Sequence, residues 1–197
     1  TQISFTQIKI SKGFKMNTEN TYTAFVGNER LITDSLLNVA LTIKTQQNTS
    51  TPVLIFNDQT GQAIDVNIMG STADIQQRYA EPEAVKKVGR PKLGVISREI
   101  TLQQKHWDWL DQQSSSASAV IRKLIDQELN NPDSASNKML AKQATDRFMS
   151  AMSGNMPNYE EATRALYQGN QALFLALIQD YPKDLRAYLT LKTQHAF

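Results

Sequence analysis

The chain has 197 residues, 40% hydrophobic and 20% charged, a balance that fits one or two folded domains able to bury a core unaided. It has no cysteine, which excludes disulfides and thiolate chemistry, and no apolar run near the ~20 residues that cross a bilayer. A net charge of +2 hides a segregation. Residues 16–85 carry eight acidic and three basic side chains, residues 86–105 one and six, and residues 106–197 ten and nine. Such a local positive excess is the footprint of a polyanion contact, because neutralising phosphates drives non-specific affinity. The alternative is a solvated basic linker.

Thr1 to Lys15 lacks the apolar stretch of a secretory signal. Residues 1–20 read as a leader, non-native or disordered, with Met16 and the polar residues after it as a natural start. The other reading is an extra edge strand carrying Ile3, Phe5, Ile8 and Ile10. Residues 21–80 read as an α+β unit of ββαββ order. Thr21 to Val26 and Glu29 to Thr33 form a hairpin across Gly27-Asn28. Asp34 or Ser35 caps a helix to about Gln47, with Leu36, Leu37, Val39, Ala40 and Ile43 on one stripe. Val53 to Phe56 is a compact strand, and Ala63 to Ile68 alternates, with Ile64, Val66 and Ile68 on one face. Asp74 to Tyr79 adds a helical turn. Asp58 and Asp65 fall at a turn or on an exposed face and are read as solvating charges, without the spacing of a metal site.

Residues 81–93 hold Pro82 and Gly89-Arg90-Pro91 among Lys86, Lys87 and Lys92, and read as an exposed basic linker. Val95 to Leu102 then alternates, with Ile96, Ile100 and Leu102 on one face and Ser97, Glu99 and Thr101 on the other. Arg98 falls on the apolar face, where an unpaired guanidinium is costly. A helix follows from Gln103 to Gln113, with Trp107 and Leu110 inward; Trp109 and His106 have no obvious place. After Ser114 to Ser116 comes a second helix with Val120, Ile121, Leu124, Ile125 and Leu129 as its stripe and Ser116 or Ser118 as N-cap. Asn130 to Asn137 is a break. Residues 138–192 read as helical: Lys138 to Met152, Tyr159 to Tyr167, Asn170 to Gln179 across Gly169, and a short last helix through Leu185, Tyr188, Leu189 and Leu191.

Gly-Arg-Pro in a lysine cluster resembles a minor-groove hook of the AT-hook kind. There a narrow backbone lets Arg90 enter an A·T tract while Lys86, Lys87 and Lys92 meet phosphates. The order of residues 94–131, strand, helix, turn, helix, resembles a ribbon-helix-helix module. That resemblance implies a dimer whose two strands pair and lie in the major groove, because so short a strand is unstable alone. Ser97 and Thr101 would read bases, and Glu99 could accept from a cytosine amino group. Ser118 would mark a phosphate clamp at the helix N-terminus, helped by Arg122. Such modules usually carry a glycine in the turn, and this chain has none between Gly94 and Gly154.

The strings at residues 89–102, 106–110 (His-Trp-Asp-Trp-Leu), 147–157 and 160–166 (Glu-Glu-Ala-Thr-Arg-Ala-Leu) resemble a bacterial family without assigned function, domain-of-unknown-function family 2239. This resemblance covers roughly Tyr22 to Leu189. It implies a bacterial cytoplasmic protein and brings no activity, cofactor or site.

The expected fold class is therefore α+β: a ββαββ unit, a strand-helix-helix segment and a helical C-terminal region. The expected function is that of a homodimeric regulator binding double-stranded DNA, nucleoid-associated, with a protein or small-molecule effector and no membrane partner. The other reading is a non-enzymatic interaction adaptor. No enzyme is expected, and no cofactor, metal or catalytic residue. Walker loop, metal spacing, nucleophile elbow and cysteine are all lacking, and His106 and His195 lie far apart in sequence.

Overall fold

The structure is a computed structural model that describes residues 20–46, 51–80 and 94–197. It is α+β: a four-stranded antiparallel sheet with helices, followed by a mainly helical C-terminal region. Strands β1 (Tyr22–Val26) and β2 (Glu29–Asp34) form a hairpin whose register shifts between Ala24 and Phe25. The turn needs Gly27 at φ 56°, a left-handed conformation that glycine adopts at little cost. Helix α1 (Leu36–Thr45) starts at Ser35, whose hydroxyl accepts from the Asn38 amide. It crosses to β3 (Val53–Asn57), which pairs with β1, and β4 (Ala63–Ile64) closes the order β2-β1-β3-β4.

Alternation along the central strands feeds two cores, so both faces of the sheet are covered. Ala24 and Ile55 meet Val39 and Ile43 of α1. Phe25 and Phe56 point the other way, into the C-terminal helices. Those helices are α5 (Ala135–Met152), α6 (Tyr159–Gln168), α7 (Gln171–Leu177) and α8 (Lys183–Lys192), ending in a 3-10 turn at Thr193–His195. Phe148 of α5 is the hub. Its ring centroid lies 4.8 Å from Phe56, 5.5 Å from Phe25 and 4.5 Å from Tyr188 of α8, at the spacing of attractive aromatic pairs.

A polar bridge runs beside this cluster. The Asp58 carboxylate accepts from Thr23 Oγ1 at 2.8 Å and from the Tyr188 hydroxyl at 2.6 Å, while Lys192 Nζ donates to the Asp58 carbonyl at 2.6 Å. Asp58 is thus a joint between sheet and α8 rather than the solvating charge its turn position suggested. The sequence places Tyr188 far away, and only folding brings it near. Asp65 is exposed, as expected. Arg147 of α5 donates to the Thr60 carbonyl at 2.9 Å, and the Arg30 amide donates to Asp184 at 2.9 Å. Sheet and C-terminal helices are stitched at several points.

Two expectations about strands need correction. The run Ala63 to Ile68 pairs only over its first two residues. Beyond them the chain is held by α2 (Thr72–Tyr79), a full helix rather than a single turn. The Tyr79 hydroxyl accepts from the Asn67 amide at 2.6 Å, and Arg78 donates to the Asn67 and Met69 carbonyls, which draws the segment off β3. The second correction concerns Val95 to Leu102: residues 94–103 form no strand in the single chain. A strand needs a neighbour to take its hydrogen bonds, and none of the described residues supplies one.

Candidate nucleic-acid interface

Two helices follow residues 94–103. Helix α3 (Gln104–Asp111) turns its Leu110 and half of Trp107 inward, and Trp109 stays exposed. His106 now has a place: its Nδ1 accepts from the Gln103 amide at 3.3 Å, which satisfies one of the orphan donors at the start of α3. Helix α4 (Ala117–Leu129) starts at Ser116, whose carbonyl accepts from the Ala119 and Val120 amides at 2.8 and 3.0 Å. Ser118 therefore lies in the first turn, two residues past the cap, with an exposed side chain.

The apolar stripe of α4 is the local peculiarity. None of its 13 residues is buried. Leu124 is 48% exposed, Ile125 51% and Leu129 51%, and in the stretch before α3 Ile96 reaches 80%. A helix written as amphipathic but left uncovered is short of a partner surface. Its far end is fixed: the Asn137 side chain donates to the Glu128 and Asn131 carbonyls at 2.7 and 2.9 Å, and the Ser136 hydroxyl donates to the Glu128 carboxylate. Those hydroxyls, Ser136 first and then Ser134, hold the Glu128 carboxyl below its ordinary range.

Of the residues expected to touch DNA, Ser97, Glu99, Thr101, Ser118 and Arg122 are all exposed. Arg98 is exposed as well, so the burial cost foreseen for it does not arise within one chain. Lys86, Lys87, Arg90 and Lys92 lie outside the described residues. Their weight is plain from charge alone. Residues 94–131 carry four basic and five acidic side chains, so the positive excess along this part of the sequence lies in residues 86–92. Among the described residues no group of histidine, cysteine or carboxylate side chains could hold a metal ion, and no helix is long and apolar enough to cross a membrane.

The profile of a bacterial family described as "Uncharacterized protein conserved in bacteria (DUF2239)" matches residues 21–192. The chain belongs to this family. The DUF2239 match spans the sheet, α3, α4 and the C-terminal helices as far as Lys192. No curated protein and no solved structure matches the chain. The family match gives no evidence of a ribbon-helix-helix resemblance for the α3–α4 region, and the strand such a module needs is not formed in the single chain.

Proposed function

We propose that this DUF2239 protein is a homodimeric DNA-binding regulator. Two chains pair through residues 95–102 and α4, and the basic segment 86–92 grips phosphates or the minor groove. The observation that carries the reading is the uncovered stripe of α4, with Leu124, Ile125 and Leu129 each about half exposed. A second copy would cover it and would supply the missing neighbour for residues 95–102 at one stroke. Ser97, Glu99 and Thr101 would then lie on the outer face of a two-stranded ribbon, the face that meets base edges.

The test is duplex-DNA binding by the full chain across a salt series, beside a variant carrying Arg90→Ala and Lys92→Ala. Affinity should fall steeply with salt, and the variant should bind more weakly with a salt slope smaller by about 2. Absence of binding even at low salt would sink the proposal and return the interaction adaptor as the working description.

A further inference from the structure

A groove of about 580 Å³ opens where the end of α4, the face of α5 and the β3–β4 turn meet. That volume falls in the range of small-molecule sites. Its floor is apolar: Leu129, Pro132, Leu140 and Ala141. Leu140 is 61% exposed and Leu129, in the same lining, 51%, so the apolar part of the groove is open to solvent. The charged lining is of one sign. Arg147 stands in the wall with His195 also lining it, and no carboxylate does so among the described residues.

Arg147 is held for such a role. One guanidinium nitrogen donates to the Thr60 carbonyl at 2.9 Å, which anchors the side chain against the β3–β4 turn. A guanidinium has further N–H donors in a fixed planar fork that matches a carboxylate. An apolar floor beside a fixed cation suits a ligand with the opposite design, an apolar body ending in an anionic head.

We propose that this groove binds a small apolar carboxylate, with the body on Leu129, Leu140 and Ala141 and the carboxylate on Arg147. The site shares Leu129 with the α4 surface that the DNA-binding reading gives to a second copy, and its other lining residues, Leu140, Ala141 and Arg147, lie outside that surface. It has a consequence for the fold, because its lining draws on the last turn of α4 and on the core helix α5 together. A bound molecule adds a second tie to the junction otherwise held by Asn137 and Ser136 on Glu128.

The test uses the isotope-labelled full chain and 4-phenylbutyrate as probe, with the neutral 4-phenylbutanol as control, followed by amide chemical shifts. Saturable shifts confined to the groove-lining residues are expected, with the alcohol binding at least about tenfold more weakly, the loss expected for one charge-assisted contact. Arg147→Gln should lose a similar factor. Should that variant fail to fold, Leu140→Glu carries the test: this exposed position tolerates the change, and the new charge should abolish binding of the acid. Equal binding of acid and alcohol, or unchanged binding by Leu140→Glu, would overturn the proposal. So would shifts at Leu140, Ala141 and Arg147 on raising protein concentration alone, which would assign the groove to a second copy of the chain.

Discussion

Tyr188 of α8 donates its hydroxyl proton to the carboxylate of Asp58, 130 residues earlier in the chain, at 2.6 Å. Thr23 of the central strand donates to the same oxygen, and Lys192, one turn after Tyr188, donates to the Asp58 carbonyl. The tyrosine ring also packs against both Phe25 and Phe148. One side chain thus closes the aromatic core and the polar bridge.

Tyr188→Phe keeps the ring and removes the hydroxyl. A hydrogen bond to a charged group contributes roughly 1.5–3 kcal/mol, so the variant should lose about that much stability. Urea denaturation at neutral pH would measure it. An unchanged midpoint would mean that the bridge contributes nothing to holding α8 on the sheet.

Alkaline pH should act on this bridge in two opposed steps. Burial pulls the Lys192 ammonium down to about 8 from its ordinary 10.5, with Asp58 opposing. Between those values the unfolded chain holds a proton that the folded chain has released, so stability should rise with pH, by at most about 1.4 kcal/mol per unit. Burial, and after it the charge of Asp58, pushes the Tyr188 hydroxyl well above its ordinary 10. Above pH 10 the folded chain therefore holds the extra proton, and stability should fall. Denaturation midpoints from pH 7 to 11 should pass through a maximum near 10. In Lys192→Met the rise should vanish and the fall remain.

Gly61 marks another joint. Its φ is 68°, and a Cβ built there would lie 1.8 Å from the Ala144 carbonyl oxygen of α5. Backbone must move to admit even a methyl group, and the left-handed φ adds strain. Gly61→Ala should cost more than about 2 kcal/mol. Thermal melts would show it, and a variant as stable as the parent would contradict the close approach of turn and helix.

The exposed stripe of α4 makes a prediction of the reverse kind. Leu124→Glu changes a half-exposed residue that touches no core, so the single chain should stay folded. If two copies pair there, the charge should dissociate them. Sedimentation should give a dimer for the parent and a monomer for the variant, with closely similar far-UV circular dichroism. A parent that is monomeric at high concentration would remove the basis of the ribbon.

Much of the local structure was legible in the residues. Ser35 capping a helix and Gly169 ending α6 in a left-handed conformation each act through the backbone within a few residues. The β1–β2 turn and the stripes of α1 and α4 follow equally from short-range pattern. Where the reading went astray, groups outside the segment decided: residues 95–102 had no neighbour among the described residues to pair with, and elsewhere other side chains intervened. Arg78 and Tyr79 drew residues 67–69 off the sheet, and Asp58 found Tyr188. For the candidate DNA contacts the sequence supplied order and charge, and the structure adds the exposure of Ser97, Glu99, Thr101, Ser118 and Arg122.

What the sequence determined by itself was therefore the succession of elements and their apolar faces, because propensity, capping and periodicity are settled between residues three or four apart. What only the tertiary structure decided was which faces meet. Phe25 and Phe56 could have met any apolar surface, and they met Phe148 and Tyr188 because the turn at Gly61 lets α5 come close and Asp58 binds α8 beside it. Those choices depend on contacts across more than eighty residues, where steric fit and paired polar groups discriminate and local pattern does not.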